Sequence, residues 1–265
     1  GNELYSNLRR LKMLDKVALY FGQMDKMPGA RSRVGFSAVT AARYLRDYLK
    51  KDVVVFIDNI FRYVLAGMEL ATGLNKVPSE LGYQPTLEKE LSDLEEMMNS
   101  NENGSITSFQ AVYVPADDFT DPSVVAVMPH LDSVVILSRQ EAAKGNYPAL
   151  DILSSTSSIL TPEIVGERHY SVALKVKTYF QKYKELQHMI AILGVDELPF
   201  ESRIIARRTE RLRRFLTQPF FTAEDFAGQK GTYVPLEKTL DGCEKILDGK
   251  FDDVGLEELY MKGEI

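Results

Sequence analysis

Cysteine is nearly missing. Cys243 is the only one in 265 residues, so no intrachain disulfide can form; a disulfide-framework secreted domain is excluded and a reducing compartment fits. Glycine and proline, 17 and 11 residues, make up about a tenth of the chain, too little for collagen-like or low-complexity sequence. No stretch approaches the ~18 uncharged apolar residues that a bilayer span requires. The chain's apolar runs, such as 53–57 and 134–137, are strand-sized. Positive charge is not in excess either: 32 Lys and Arg face 38 Asp and Glu, a net charge of −6, so bulk charge does not draw the chain to polyanions and nucleic-acid binding would need a local patch. Three histidines and one cysteine have no zinc-site spacing, and no G-x-S-x-G marks a serine nucleophile. Neither G-x-x-x-x-G-K-[ST] nor G-x-G-x-x-G occurs, so a backbone cradle for phosphates is not in these residues. The chain opens on Gly1, with no methionine and no signal-peptide pattern, and reads as a cut end.

What is present is ordinary globular material, 45 % hydrophobic and 26 % charged, long enough for one large domain or two modest ones. The first half alternates β-rich runs with helical patterns, the signature of a mainly parallel α/β sheet. Strands are expected at 17–21, 53–57, 105–114 and 133–137, and helices at 37–49, 60–74 and 86–98, the last from Leu87, Leu91, Leu94 and Met98 at helical spacing. The run at 53–57 is apolar at every position, as when helices cover both faces of a parallel strand. From about Gly166 β-branched runs give way to long charged helical patterns. The expected organisation is an α/β domain over 1–165 and a helical domain over 166–265, with the seam near the Ser-rich stretch 154–162.

The most pointed local feature is Val-Val-Val-Phe-Ile-Asp ending at Asp58. A carboxylate at the carboxyl end of a parallel strand faces the crevice where α/β sheets bind ligands, and in phosphate-loop NTPases such a group holds magnesium and its waters. Arg62, four residues on, is one helical turn away and could reach the same phosphate. Taken alone, Asp58 reads first as a turn or helix cap and Arg62 as a solvated helix charge. Arg203, Arg207, Arg208, Arg211, Arg213 and Arg214 form a basic patch, but Ile204, Ile205, Leu212 and Phe215 interleave as a core stripe, which favours a solvated or subunit-facing helix over nucleic-acid contact.

Longer motifs carry a family resemblance. VVVFIDNIFR, VPSELGYQPTL, VYVPADDFTDP, HLDSVVILSR, IAILGVDEL and RFLTQPFFTAEDFAG stand in order along nearly the whole chain, which resembles the catalytic β subunit of F-type ATP synthases. The Asp-Asp-x-Thr-Asp-Pro motif distinguishes it from the noncatalytic α subunit and from Rho-type helicases. The resemblance implies a partial RecA-like P-loop NTPase domain, α/β with a mainly parallel sheet, followed by an all-α C-terminal domain. It implies ATP or ADP with Mg2+ as ligands, Asp58 ordering the waters of the metal, Asn59 beside it, and Arg62 on the transferred phosphate. Tyr147, Phe220, Ala223 and Phe226 match the adenine pocket. Asp118, Thr120 and Asp121 match the loop that catches the rotating shaft; Asp196, Glu197, Leu198 and Glu201 lie in the lever that pushes it. Tyr170 matches a residue lining the noncatalytic site of a neighbouring α subunit.

The implied partners are α-like subunits in a hexameric ring, a γ-like central shaft and a membrane sector bound peripherally, on the cytoplasmic face of a membrane or its organellar equivalent, with no nucleic acid. The implied activity is ATP synthesis or hydrolysis coupled to rotation and proton transport. The family's N-terminal barrel, phosphate loop and catalytic glutamate fall upstream of Gly1, so residues 1–265 alone are not expected to turn over ATP. The sequence departs from the family in two places. The lever segment 196–202 has fewer acids than is usual, and Ser154, Ser158 and Leu174 stand where Asp, Arg and Arg are common, which reduces charge and hydrogen bonding at the noncatalytic site. These departures leave open a specialised rotary ATPase driving another machine, and a noncatalytic scaffold subunit remains a third reading.

Overall fold

The computed structural model describes every residue except Glu80, with Phe226 and Ala227 described by backbone alone. Packing divides it into two units, Gly1–Leu131 and Asp132–Ile265.

The first unit runs α1 (Asn2–Arg10), α2 (Pro28–Asp47), β1 (Val53–Asp58), α3 (Ile60–Gly73), α4 (Leu87–Glu95), β2 (Ile106–Ala111) and α5 (Pro122–Val127). Local chemistry explains the boundaries. Pro28 opens α2, where its missing N–H costs nothing and its fixed φ suits a helix. Leu87, Leu91 and Leu94 stand on one buried face of α4 at positions i, i+4 and i+7. Strands β1 and β2 pair in parallel, Val53 against Ile106 through Asp58 against Ala111, with α3 and α4 in the crossover that a parallel pair requires. Val39, Ile60, Val64, Leu91, Leu94 and Ile106 form the centre of the core. Arg46 is buried beside it, its guanidinium bonded bidentately to Asp47 at 2.7 and 2.9 Å and to the Asn99 side chain at 2.8 Å, so the charge is paired and its donors are used.

Two expectations change. Residues 17–21 form no strand: Val17 is extended at φ −130° and ψ 142°, but none of the five enters a ladder, and β-propensity without a neighbouring strand leaves backbone groups to solvent. The run at 53–57 is covered on one face only. Val53, Val55 and Ile57 pack on the core, whereas Val54 and Phe56 are exposed, Phe56 at 77 % and stacked on Phe109 with ring centroids 5.3 Å apart. A sequence apolar at every position does not reveal which face is covered.

The second unit holds the antiparallel pair β3 (Ser133–Val134) and β4 (Thr156–Ser157), the short helices α6 (Arg139–Ala143) and α7 (Pro162–Val165), and then α8 (Glu167–Leu193), α9 (Phe200–Phe215), α10 (Glu224–Ala227), α11 (Leu236–Leu247) and α12 (Leu256–Leu259). The strand expected at 133–137 is reduced to two residues. Helix α8 stops at Gly194, whose φ of +85° a side chain would resist. Its Val172, Val176 and Phe180 meet Leu212 and Phe215 of α9 and Leu240, Cys243 and Ile246 of α11 in a second core. The arginines of α9 are largely engaged at home: Arg208 pairs with Asp252 at 2.7 Å, Arg213 with Glu210 at 2.8 Å, and Arg211 donates to the Phe251 carbonyl at 2.7 Å. Among the described residues no helix is long and apolar enough to cross a membrane.

Candidate functional site

Asp58 ends β1, opposite Ala111, and is exposed with no hydrogen bond or ion pair of its own among the described residues. The Asp58–Asn59 peptide is cis. Asn59 is the N-cap of α3: its side-chain oxygen accepts from the Arg62 backbone N–H at 3.1 Å, satisfying one of the unpaired donors at the start of the helix. Asn59 therefore does local work that the sequence motif alone does not reveal. Arg62, in the first turn of α3, is exposed and has no carboxylate partner among the described residues. A carboxylate and a guanidinium, both unpaired and both projecting from the strand–helix turn, are free to meet a polyanion and its counter-ion. No group of three or more His, Cys, Asp or Glu side chains is placed to hold a metal among the described residues.

In the second unit Tyr147 is 42 % exposed and precedes Pro148 through a cis peptide. The Gln218 N–H donates to the Tyr147 carbonyl at 2.9 Å, which brings the Tyr147 backbone to the segment that carries Phe220 and Ala223. That segment is closed on itself: the Ala223 N–H reaches the Phe220 carbonyl at 3.1 Å and the Thr232 N–H reaches Pro219 at 3.1 Å. Phe220 and Ala223 are half-buried, while the side chain of Phe226 lies outside the described residues. Asn146 and Pro148, on either side of Tyr147, line a cavity of about 360 Å³ with Thr217 and Arg213.

The remaining expected residues are placed as follows. Asp118 accepts from the Thr120 amide at 2.8 Å and its hydroxyl at 2.6 Å, bonds that hold its carboxyl below the usual range. Asp121 caps α5 by accepting from the Ser123 N–H at 2.9 Å, and also accepts from the Tyr83 hydroxyl at 2.9 Å. Asp196 is paired with Arg207 at 2.7 Å, and Arg203 donates to its carbonyl at 3.1 Å. Glu197 and Glu201 are exposed and Leu198 is buried. The apolar residue this segment exposes is instead Phe200, at 69 %, a position that sequence reasoning did not single out. Tyr170 is half-buried near the start of α8 and Leu174 is exposed one turn on. Ser154 donates to Asp151 at 2.7 Å within a local turn, and the Ser158 N–H donates to the Asp132 carbonyl at 2.8 Å, beside the β3–β4 pairing.

Fold and strand end together define an α/β protein of the kind that binds ligands at the carboxyl ends of parallel strands, continued by a helical domain. The chain belongs to the ATP synthase alpha/beta family: the model of that family's nucleotide-binding domain matches residues 1–157, and the model of the C-terminal domain of V and A type ATP synthase matches residues 158–254. It is 50 % identical, over all 265 residues, to ATP synthase subunit beta 1 of Pseudoalteromonas atlantica, and spans 49 % of that protein's length. A solved structure described as a unique ATP synthase subunit NeqB from Nanoarcheaum equitans superposes with a TM-score of 0.82 at 23 % identity, covering 93 % of this chain and 60 % of the other, and shares its fold.

Proposed function

We propose that this chain is part of a catalytic β-type subunit of a rotary ATP synthase, handling magnesium-bound ATP or ADP. The observation that carries the reading is the turn at the end of β1: Asp58 and Arg62 are open and unpaired, and Asn59 fixes the start of the helix between them. Magnesium, when bound, supplies charge neutralisation at the phosphate oxygens. Asp58 would hold its water shell from the strand end. Arg62 would stabilise charge on the transferred phosphate during in-line attack by water, a positive group in a place where it costs no reorganisation. In the second unit Tyr147, Phe220, Ala223 and Phe226 would offer apolar and aromatic faces to adenine.

In this reading the subunit alternates with α-like subunits in a hexameric ring, where Tyr170 lines the neighbour's noncatalytic site. It meets a γ-like shaft through Asp118, Thr120 and Asp121 and through the lever at Asp196, Glu197, Leu198 and Glu201. Through the shaft it couples rotation to proton movement in a membrane sector to which it is peripheral. The 50 % identity to a β subunit supports the assignment. The test is Arg62→Ala in the assembled complex of the intact subunit. Steady-state ATP hydrolysis should fall by on the order of 10³, the scale on which such guanidinium groups act in phosphoryl transfer. Unchanged turnover would remove Arg62 from the reaction.

A further inference from the structure

Glu95 closes α4, and its Oε2 accepts from the Gln110 side-chain Nε2 on β2 at 2.8 Å. The second oxygen of each partner, Glu95 Oε1 and Gln110 Oε1, is buried without a hydrogen-bond partner among the described residues. A buried polar atom left unpaired is costly, and two at one contact call for an explanation. Both are acceptors. An ionised carboxylate has no proton to give Gln110, and Gln110 Oε1 has none to give a carboxylate. Turning the Gln110 amide over would only exchange which carboxylate oxygen receives the N–H and leave the other facing the amide oxygen. A single proton taken from solvent onto Glu95 Oε1 gives that atom an O–H to donate to Gln110 Oε1 and satisfies both atoms, closing a two-bond pair between carboxylic acid and amide.

We propose that Glu95 is carried as the neutral carboxylic acid, its proton bridging to Gln110, and that this proton-bridged pair clamps α4 to β2 beside the strand end that carries Asp58. In the parallel register Gln110 faces Ile57 and the next pair is Ala111 with Asp58, so the clamp acts on the rung adjoining that carboxylate. Burial raises Glu95 above the ordinary carboxylate range. Burial is the dominant cause; the Gln110 hydrogen bond itself favours the ionised form and is outweighed by it. Tyr63 from α3 feels the charge of Glu95, Glu90 and Asp93, with Arg33 from α2 acting on it in the opposite sense. Ser108 of β2 adds an oxygen 3.3 Å from Gln110 Nε2. His130, in the turn Met128–His130, opposes: its cation favours the ionised form of Glu95. This inference does not depend on the proposed activity.

The direction of the pH dependence follows. A carboxyl raised in the folded state binds more protons folded than unfolded, so its contribution is complete below the ordinary value of 4.5 and is lost as pH rises through the folded value. Glu95→Gln places an N–H where the proton sat and does not titrate. Between wild type and Glu95→Gln, the ratio of unfolding constants should change in favour of the variant by up to tenfold per pH unit inside that window and be flat outside it. Amide protection of the 53–58 and 106–111 ladder, measured by hydrogen exchange, should follow the same curve in wild type and stay level in the variant. The direct readout is the side-chain carboxyl ¹³C spectrum of the Glu-labelled chain: one resonance should keep its protonated position to higher pH than the other Glu residues and vanish in Glu95→Gln. If every Glu resonance in wild type titrates at or below about 4.5, Glu95 is ionised, a water or cation serves the two oxygens, and the proposal fails. That measurement decides the matter even if the variant does not fold.

Discussion

If Tyr147 stacks on adenine as proposed, its ring and its hydroxyl can be separated by substitution. The ring is 42 % exposed in a segment whose backbone is tied to Gln218, so a flat apolar face is presented without being consumed by the core. Stacking on a purine is worth ~0.5 to 1.5 kcal/mol and needs the ring alone. In the intact subunit, Tyr147→Ala should weaken ATP binding roughly five- to tenfold, the equivalent of about 1 to 1.4 kcal/mol, while Tyr147→Phe stays near wild type in the same nucleotide titration. A phenylalanine as damaging as alanine would point to the hydroxyl and away from stacking. Residue-scale structure also sorts the side chains of segment 196–202. Leu198 alone is buried; Asp196, Glu197, Pro199, Phe200 and Glu201 are exposed, Asp196 while paired with Arg207.

At the scale of elements, the strand–turn–helix from β1 to α3 depends on its cap. Asn59 has the extended backbone of an N-cap at φ −123° and ψ 161°, and its side chain serves the Arg62 N–H, so it also fixes the first turn from which the Arg62 guanidinium projects. Replacing it with alanine removes one satisfied donor at a helix start, a change that typically costs ~1 kcal/mol. Asn59→Ala should therefore lower the urea midpoint of the first unit, and Asn59→Asp, which retains a capping oxygen, should restore most of the loss. Equal destabilisation by both would show that the amide nitrogen, and not the cap, is what matters at this position.

The whole molecule is built on two cores, one around Leu91 and Ile60, the other around Leu212 and Ile246, each assembled from the residues of a single unit. Removing a fully buried leucine or isoleucine costs ~2 to 5 kcal/mol through lost burial and the cavity left behind. Leu91→Ala should reduce hydrogen-exchange protection across 1–131 and Ile246→Ala across 132–265. Loss of protection spread evenly over both units by either change would mean that they unfold as one cooperative block.

Much of this was determined by sequence alone. The period-four leucines of α4, the apolar run of β1 ending in Asp58, and the helical texture of the second half are local signals, because a helix or strand announces its buried face through spacing along the chain. Family membership was equally legible, carried by long motifs in order. Tertiary structure decided what depends on neighbours. Residues 17–21 have the composition of a strand yet gain none without a partner to pair with, and the uniformly apolar β1 leaves Phe56 bare because coverage is a property of the surrounding elements. The Tyr147–Gln218, Asp196–Arg207 and Glu95–Gln110 contacts join residues far apart along the chain or on different elements, where spacing carries no information. Asp58 and Arg62 could be found by reading. That both stand unpaired, with Asn59 spent on the helix start between them, required the folded chain, because hydrogen-bond satisfaction is settled only when all competing donors and acceptors are in place.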